Sequence, residues 1–288
     1  MRILITGINS AVGESVADSF AEHEIIALGR KQHPRYRTIV CDLHAGVPRL
    51  PNIDLCLHMA FVTDPVFCRE HYEDAYRVNV SATVSLLRRV PRFVLVSTGS
   101  VYGFHDGILD ENRPPAPQDE YARMKYLAEQ ETLQHSDAMV LRYFFPYGPA
   151  TKPGSVVNRL IDNIRCGRSV EVHAEGKPRI NPIYISDLAA ATKSFCLSKL
   201  KGICNVAGND VVSIKELAER IGNTLGKQPV FRQSGKRLRN LVGCTERLRT
   251  TYKPIVSLAD GITATVNYHR RLPTGSSSFQ PYPLRSVA

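Results

Sequence analysis

Short runs of β-forming residues alternate with helical patterns through the first half of the chain, and that alternation admits few architectures. Arg2 to Thr6, Glu24 to Leu28, Arg37 to Cys41, Asp54 to His58, Arg92 to Ser97 and Ala138 to Tyr143 read as strands. Between them, Val12, Val16 and Phe20 share one helical face, as do Val80, Val84 and Leu87, leaving Glu14, Asp18 and Arg88 for solvent. Strand and helix in repetition predict an α/β fold with a doubly wound parallel sheet. With 288 residues and 43% apolar side chains, the chain can bury such a sheet and still add a smaller unit.

The rhythm changes after Pro146-Tyr147-Gly148-Pro149, so residues 1–149 are expected as one domain and 150–272 as mainly a second region, with some segments returning to the first. Val156 to Cys166 reads as a helix with Ser155 as N-cap and Gly167 after it. Another starts at Ile214, where Ser213 and Glu216 form a capping box ahead of an apolar stripe of Ile214, Leu217, Ala218, Ile221 and Leu225. Residues 273–288, with Gly-Ser-Ser-Ser and further prolines, lack periodicity and read as a flexible tail.

Lys and Arg number 37 against 27 Asp and Glu, and the resulting +10 favours an anionic partner. The basic residues are spread out, with mild clusters at Arg30 to Arg37 and Lys236 to Arg239. They are not interleaved with aromatics as in a nucleic-acid module, so nucleic acid is not an expected partner. Seven scattered cysteines without a CxxC pair argue for a reducing compartment, and no metal site is expected. The apolar stretch in MRILITG is too short for a signal peptide, and no run of about 18 apolar residues occurs. The cytoplasm is the expected location and a membrane is not an expected partner.

The first strand runs into Thr6-Gly7-Ile8-Asn9-Ser10-Ala11-Val12-Gly13 and then a helix, the context a dinucleotide fingerprint requires. Gly7 permits the sharp turn and Gly13 close helix packing, and the helix start offers free N–H groups to a pyrophosphate. Ser10 stands where a glycine is usual, and its hydroxyl is placed to donate to a phosphate oxygen. At the end of the second strand, where an NAD-preferring domain presents a carboxylate to the ribose, the chain has Gly29-Arg30-Lys31. A guanidinium attracts a 2′-phosphate, so NADP(H) is expected over NAD(H), unless Arg30 is only a solvated charge stacked on adenine.

Tyr121 and Lys125 lie one turn apart at the start of a helix capped by Asp119. A neighbouring ammonium and a nicotinamide ring both favour the phenolate, which predicts a lowered phenol pKa. The fifth strand ends in Ser97-Thr98-Gly99-Ser100-Val101-Tyr102-Gly103, at the sheet edge where ligands bind, and puts the Thr98 hydroxyl within reach of a reacting oxygen.

With these residues in view, the chain resembles the extended short-chain dehydrogenase/reductases of the NAD-dependent epimerase/dehydratase family acting on nucleotide sugars, over roughly residues 1 to 225. Beyond the glycine loop and YxxxK, the likeness includes Cys41-Asp42-Leu43, Leu57-His58-Met59-Ala60, Val78-Asn79-Val80, the segment Leu141 to Pro149, Ile183-Tyr184-Ile185-Ser186-Asp187-Leu188-Ala189, and Cys204-Asn205-Val206-Ala207. The resemblance implies a Rossmann-type domain with a smaller C-terminal substrate-binding region, and Thr98, Tyr121 and Lys125 as catalytic trio. It implies cofactor contacts from Gly7, Asn9, Ser10, Ala11, Val12, Gly13, Arg30, Asp42, Leu43, Met59, Ala60, Tyr121, Lys125, Tyr143 and Phe145. Asn79 is included among them, with a helix-end cap as its other reading. Ser100, Tyr147, Asn158 and Arg179 are implied on the nucleotide-sugar side, Arg179 opposing the diphosphate, and a homodimer through the helices of Asn79 and Tyr121.

Family members that eliminate water from C5 and C6 place Asp-Glu after the catalytic hydroxyl residue, and those that epimerise C3 and C5 place Cys there. Here Gly99-Ser100 follow Thr98, which disfavours both. His105 and His173 are the remaining candidate proton donors. Two reactions are left, and reduction of a nucleotide 4-keto-6-deoxysugar by NADPH is expected ahead of C4 epimerisation with a retained cofactor, because Arg30 points to NADPH, net reduction needs an exchangeable reduced cofactor, and the chain resembles the shorter reductases of the family. A non-catalytic NADP-sensing regulator is the third reading, and the Tyr/Lys pair argues against it.

Overall fold

The computed structural model describes residues 1–151, 154–173, 175–234 and 239–271. The expected tail, 273–288, lies outside them, as do Lys236 and Arg237 of the second basic cluster. Seven strands form one sheet: β1 (Arg2–Thr6), β2 (Glu24–Gly29), β3 (Arg37–Val40), β4 (Leu55–His58), β5 (Phe93–Thr98), β6 (Ala138–Tyr143) and β7 (Gly202–Val206). Their order is β7-β6-β5-β4-β1-β2-β3, and every pair is parallel. The chain winds outward from β1 through β3, then crosses back to β4, so the direction of winding reverses between β1 and β4. Ligands bind at such a switch point, beyond the carboxyl ends of the strands.

The central strands are buried on both faces, which is why they read as apolar runs. The six expected strands all join the sheet with ends shifted by a residue or so. The seventh, β7, follows a helix in the basic half of the chain, and its Asn205 interrupts the apolar pattern. Tertiary contacts satisfy that residue: the Tyr102 hydroxyl donates to Asn205 Oδ1 at 2.9 Å, and Nδ2 donates to the Leu109 carbonyl at 2.8 Å.

Helices α1 (Ala11–Asp18), α2 (Ala82–Leu87), α3 (Glu120–Leu133), α4 (Val156–Arg165), α5 (Ile185–Leu197), α6 (Ile214–Leu225) and α7 (Leu258–Arg270) complete the packing. Val16 and Phe20, at and just past the end of α1, and Leu188 and Phe195 of α5 cover one face of the sheet; Leu86 of α2 and Ala128 of α3 cover the other. Thus α5 and β7, both beyond residue 149, belong to the sheet layers. The smaller core joins Val157 and Ile161 of α4, Leu217 and Ile221 of α6, and Val266 of α7. The capping box at Ser213 and Glu216 forms as expected, and Ser155 occupies the N-cap of α4 without a side-chain bond to it. No helix among the described residues is long and apolar enough to cross a membrane.

Candidate active site

Gly7 has φ +74°, and a Cβ there would lie 2.9 Å from the Ala60 nitrogen; one on Gly13 would lie 2.3 Å from the Gly7 carbonyl oxygen. The turn therefore exists only with glycine at both positions. Thr6, directly before it, accepts from the N–H groups of Met59 and Ala60 at 3.0 Å each, which ties the loop after β4 to the loop after β1. The N–H groups of Ala11 and Val12 donate to no group among the described residues. A helix start with free donors, approached by a backbone that no Cβ obstructs, fits the pyrophosphate of a dinucleotide. Asn9 Nδ2 reaches the Lys31 carbonyl at 3.2 Å, so exposed Arg30 and Lys31 stand beside this loop.

Ser10 departs from its expected role. Its hydroxyl donates to the Gly7 carbonyl at 3.0 Å and accepts from the Gly13 N–H at 3.0 Å, capping α1. The one hydroxyl proton is committed within the loop, because a short side chain at an N-cap reaches local backbone first.

The end of β5 brings three hydroxyls together. Thr98 Oγ1 accepts from the Ser100 N–H at 3.2 Å and donates to Ser100 Oγ at 3.3 Å, and the phenol of half-buried Tyr121 lies near enough to the Thr98 hydroxyl to feel it electrostatically. Asp119 caps α3 through the Ala122 N–H at 2.8 Å, which fixes where Tyr121 enters the helix. Burial pushes the Tyr121 phenol up, the Asp119 charge adds to this, and the nearby Thr98 hydroxyl opposes both. The expected lowering by Lys125 is absent for a geometric reason. Lys125 Nζ donates to the Val96 carbonyl at 2.6 Å and lies 2.9 Å from the centroid of the Phe61 ring. Burial, with the residue 3% exposed, holds its ammonium well below the usual lysine range, and Glu129 one turn along opposes that shift.

Beneath these groups lies a buried ion pair. Arg142 on β6 donates to both Glu129 oxygens, through Nη2 at 2.6 Å and Nε at 3.0 Å, and Ser97 donates to the same carboxylate. A charge left alone at this depth is strongly destabilising, so the pair fixes α3 against β5 and β6 as a unit. Gly99 is packed just as tightly: a Cβ there would lie 2.6 Å from the Phe144 ring, which is 1% exposed. A side chain at the position after Thr98 would therefore have to displace a buried aromatic ring.

Several residues implied by resemblance have partners or packing within the fold itself. Asn79 lies in a π-helical turn, Arg77–Ser81, and exchanges two bonds with Val62, Oδ1 accepting from its N–H at 2.8 Å and Nδ2 donating to its carbonyl at 3.0 Å. It holds a loop rather than capping a helix end. Tyr143 is buried against α5, its hydroxyl 2.6 Å from Thr192 Oγ1. Leu43 is buried in the α2 and α3 face, while exposed Asp42 caps the short turn Leu43–Ala45. Phe145 is half-buried with φ +47°, an uncommon conformation for a side chain of this size. Tyr147 sits in the smaller core, 1% exposed, with its hydroxyl against Gly261. Asn158 is buried and donates to the Thr151 carbonyl at 2.7 Å. Arg179 donates to the Val211 carbonyl at 2.9 Å and lies 3.6 Å from Glu216. His105 has Gly107 N–H and the Arg113 guanidinium at its two ring nitrogens, which leaves neither turned to a substrate.

One residue at the site has a weak signature in the sequence. Phe61 is a single aromatic in a loop, yet it lies against Lys125, and His58 packs on its ring. Met59 and Ala60 flank them with backbone N–H groups on Thr6.

The profile of the NAD dependent epimerase/dehydratase family matches residues 3–207. The chain belongs to that family. Among its relatives is a dTDP-glucose 4,6-dehydratase of Streptomyces niveus, 30% identical over 67% of this chain and 63% of that protein, just under two thirds of the relative's length. A dTDP-D-glucose 4,6-dehydratase of Mus musculus is 25% identical over 99% of this chain and 94% of its own. Similar solved structures include MoeE5 in complex with UDP-glucuronic acid and NAD, with TM-score 0.83 and 23% identity over 94% of this chain and 99% of that one. A Thermus thermophilus UDP-glucose 4-epimerase in complex with NAD has TM-score 0.80 and 24% identity over 94% and 99%. These two likenesses establish the Rossmann-type fold.

Proposed function

We propose that this family member reduces a nucleotide-activated 4-keto-6-deoxysugar with NADPH. The observation that carries the reading is the hydroxyl pair of Thr98 and Tyr121 at the carboxyl edge of β5, on the same edge of the parallel sheet as the tight turn at Gly7 and with position 99 closed by Phe144. A bound dihydronicotinamide would supply hydride to C4 of the sugar. Tyr121 gives its proton to the C4 oxygen as that oxygen becomes an alcohol, and Thr98 donates a hydrogen bond to the same oxygen. Burial keeps the phenol protonated, the form from which a reduction starts; oxidation of a 4-hydroxyl, the first half of an epimerisation, starts from the phenolate. Lys125 would hold the nicotinamide ribose, and Gly7 to Gly13 the pyrophosphate.

Relatives named for dTDP- and UDP-sugars support a nucleotide sugar as substrate. Several of the solved neighbours are named with NAD, so the preference for NADPH rests on Arg30 and Lys31 in place of a carboxylate. A second copy of the chain is the expected partner, in the cytoplasm. The purified protein mixed with NADPH and dTDP-4-keto-6-deoxyglucose, or its UDP counterpart, should lose absorbance at 340 nm in proportion to sugar converted. Interconversion of 4-hydroxyl epimers without net NADPH loss would identify an epimerase instead, the same hydroxyls serving both directions. No turnover of either kind, with NADPH bound equally well by Tyr121→Phe, would identify a sensor.

A further inference from the structure

Lys125 is the one catalytic candidate whose side chain is covered. Its Nζ has the Val96 carbonyl at 2.6 Å on one side and the Phe61 ring, with its centroid at 2.9 Å, on another. The ring itself is held from several directions. The Ala60 N–H before it is bound to Thr6 Oγ1 at 3.0 Å, and Val62 after it is bound twice to the Asn79 side chain. His58 packs on it, centroids 5.0 Å apart. That imidazole is neutral: Thr6 Oγ1 has both lone pairs filled by Met59 and Ala60 N–H groups, so its proton goes to His58 Nδ1 at 2.7 Å. Burial pushes the His58 pKa down to about 3, and the Lys125 charge pushes the same way.

We propose that Phe61 is a positioning residue for Lys125, its ring face stabilising and aiming the ammonium that would hold the cofactor ribose. The proposal rests on the reading of Tyr121 and Lys125 above. The ring is a fitting partner because the carboxylate in reach is committed elsewhere: Glu129 is bound to Arg142 at 2.6 Å. The other titratable group acting with Lys125 is His58, neutral, from β4; Tyr121, four residues earlier on the same helix, is a protonated phenol. Neither supplies a negative charge at neutral pH, so a π face offsets part of the burial that disfavours the ammonium. The chain Thr6, His58, Phe61, Lys125 also links the glycine turn to the reacting groups by direct contact.

The test uses the full chain with 15N-labelled lysine and follows the Lys125 Nζ signal with pH by NMR, assigned through Lys125→Met. Phe61→Leu keeps an apolar side chain and removes the π face, and its Lys125 midpoint should fall by about half a unit or more. Phe61→Tyr should titrate as the parent does. Phe61→Met gives the same comparison where the leucine variant does not fold. An unchanged midpoint in the leucine or methionine variant overturns the proposal, as does a tyrosine variant that falls equally far. The titration requires neither cofactor nor sugar. A midpoint that does not move therefore removes the role of Phe61 and leaves the reductase reading intact, whereas a midpoint that moves beside absent NADPH consumption does the reverse.

Discussion

The carboxyl edge of the parallel sheet and the smaller C-terminal core treat their motif residues in opposite ways. At the sheet edge, Thr98, Ser100 and Tyr121 come from two elements and meet through hydroxyls. In the smaller core, Tyr147 and Asn158 turn inward and become packing, and Arg179 pairs with Glu216 on the neighbouring helix start. Parallel strands all end on the same side, so the residue after each strand is delivered to one line whatever its place in the chain. No comparable frame orders the smaller region. There an aromatic or an amide goes where local packing takes it, and likeness of motif is a weaker guide to position.

Three substitutions test that contrast. Tyr121→Phe should lower kcat for keto-sugar reduction by about two to four orders of magnitude while NADPH fluorescence titrations give the parent affinity. A variant that turns over normally would show that the sheet edge does not hold the reacting group. Gly99→Asp, which supplies the carboxylate absent after Thr98, should cost about 1–3 kcal/mol in denaturant unfolding, because its Cβ meets the Phe144 ring at 2.6 Å. Adding Phe144→Leu should recover part of that loss; equal stability of Gly99→Asp and the parent would mean the aromatic does not close the position. Tyr147→Phe should change stability by less than about 1 kcal/mol and leave KM for the sugar unaltered, as its hydroxyl lies against Gly261 in the core. A tenfold rise in KM would place Tyr147 on the substrate and erase the contrast.

Much of the first region is legible without coordinates. The periodicity of six strands marks the sheet, and the spacing of Gly7 and Gly13 marks the turn, because both depend on local backbone geometry. Asp119 as N-cap and Ser213 with Glu216 as capping box form as read, since such contacts span only a few residues. The smaller region is less legible. Helix α5 and strand β7 return to the sheet from beyond residue 149 through pairing and packing that no local pattern encodes. Ser10 also reads differently in the fold, since a hydroxyl available to a phosphate in a linear sequence becomes a cap once the turn closes.

The amino-acid order by itself determined the doubly wound sheet, the glycine turn and the candidacy of Thr98, Tyr121 and Lys125, because those follow from periodicity and spacing along a single strand or helix. Only the tertiary structure decided the direction in which burial shifts each member of the pair, and the closure of position 99. The Tyr121 phenol is raised and the Lys125 ammonium lowered by burial, and Phe61, Val96 and Phe144 reach these residues across the sheet. Charge state and steric room depend on what surrounds a side chain in three dimensions, and the groups that surround these come from β4, β5 and β6 and the loops after them.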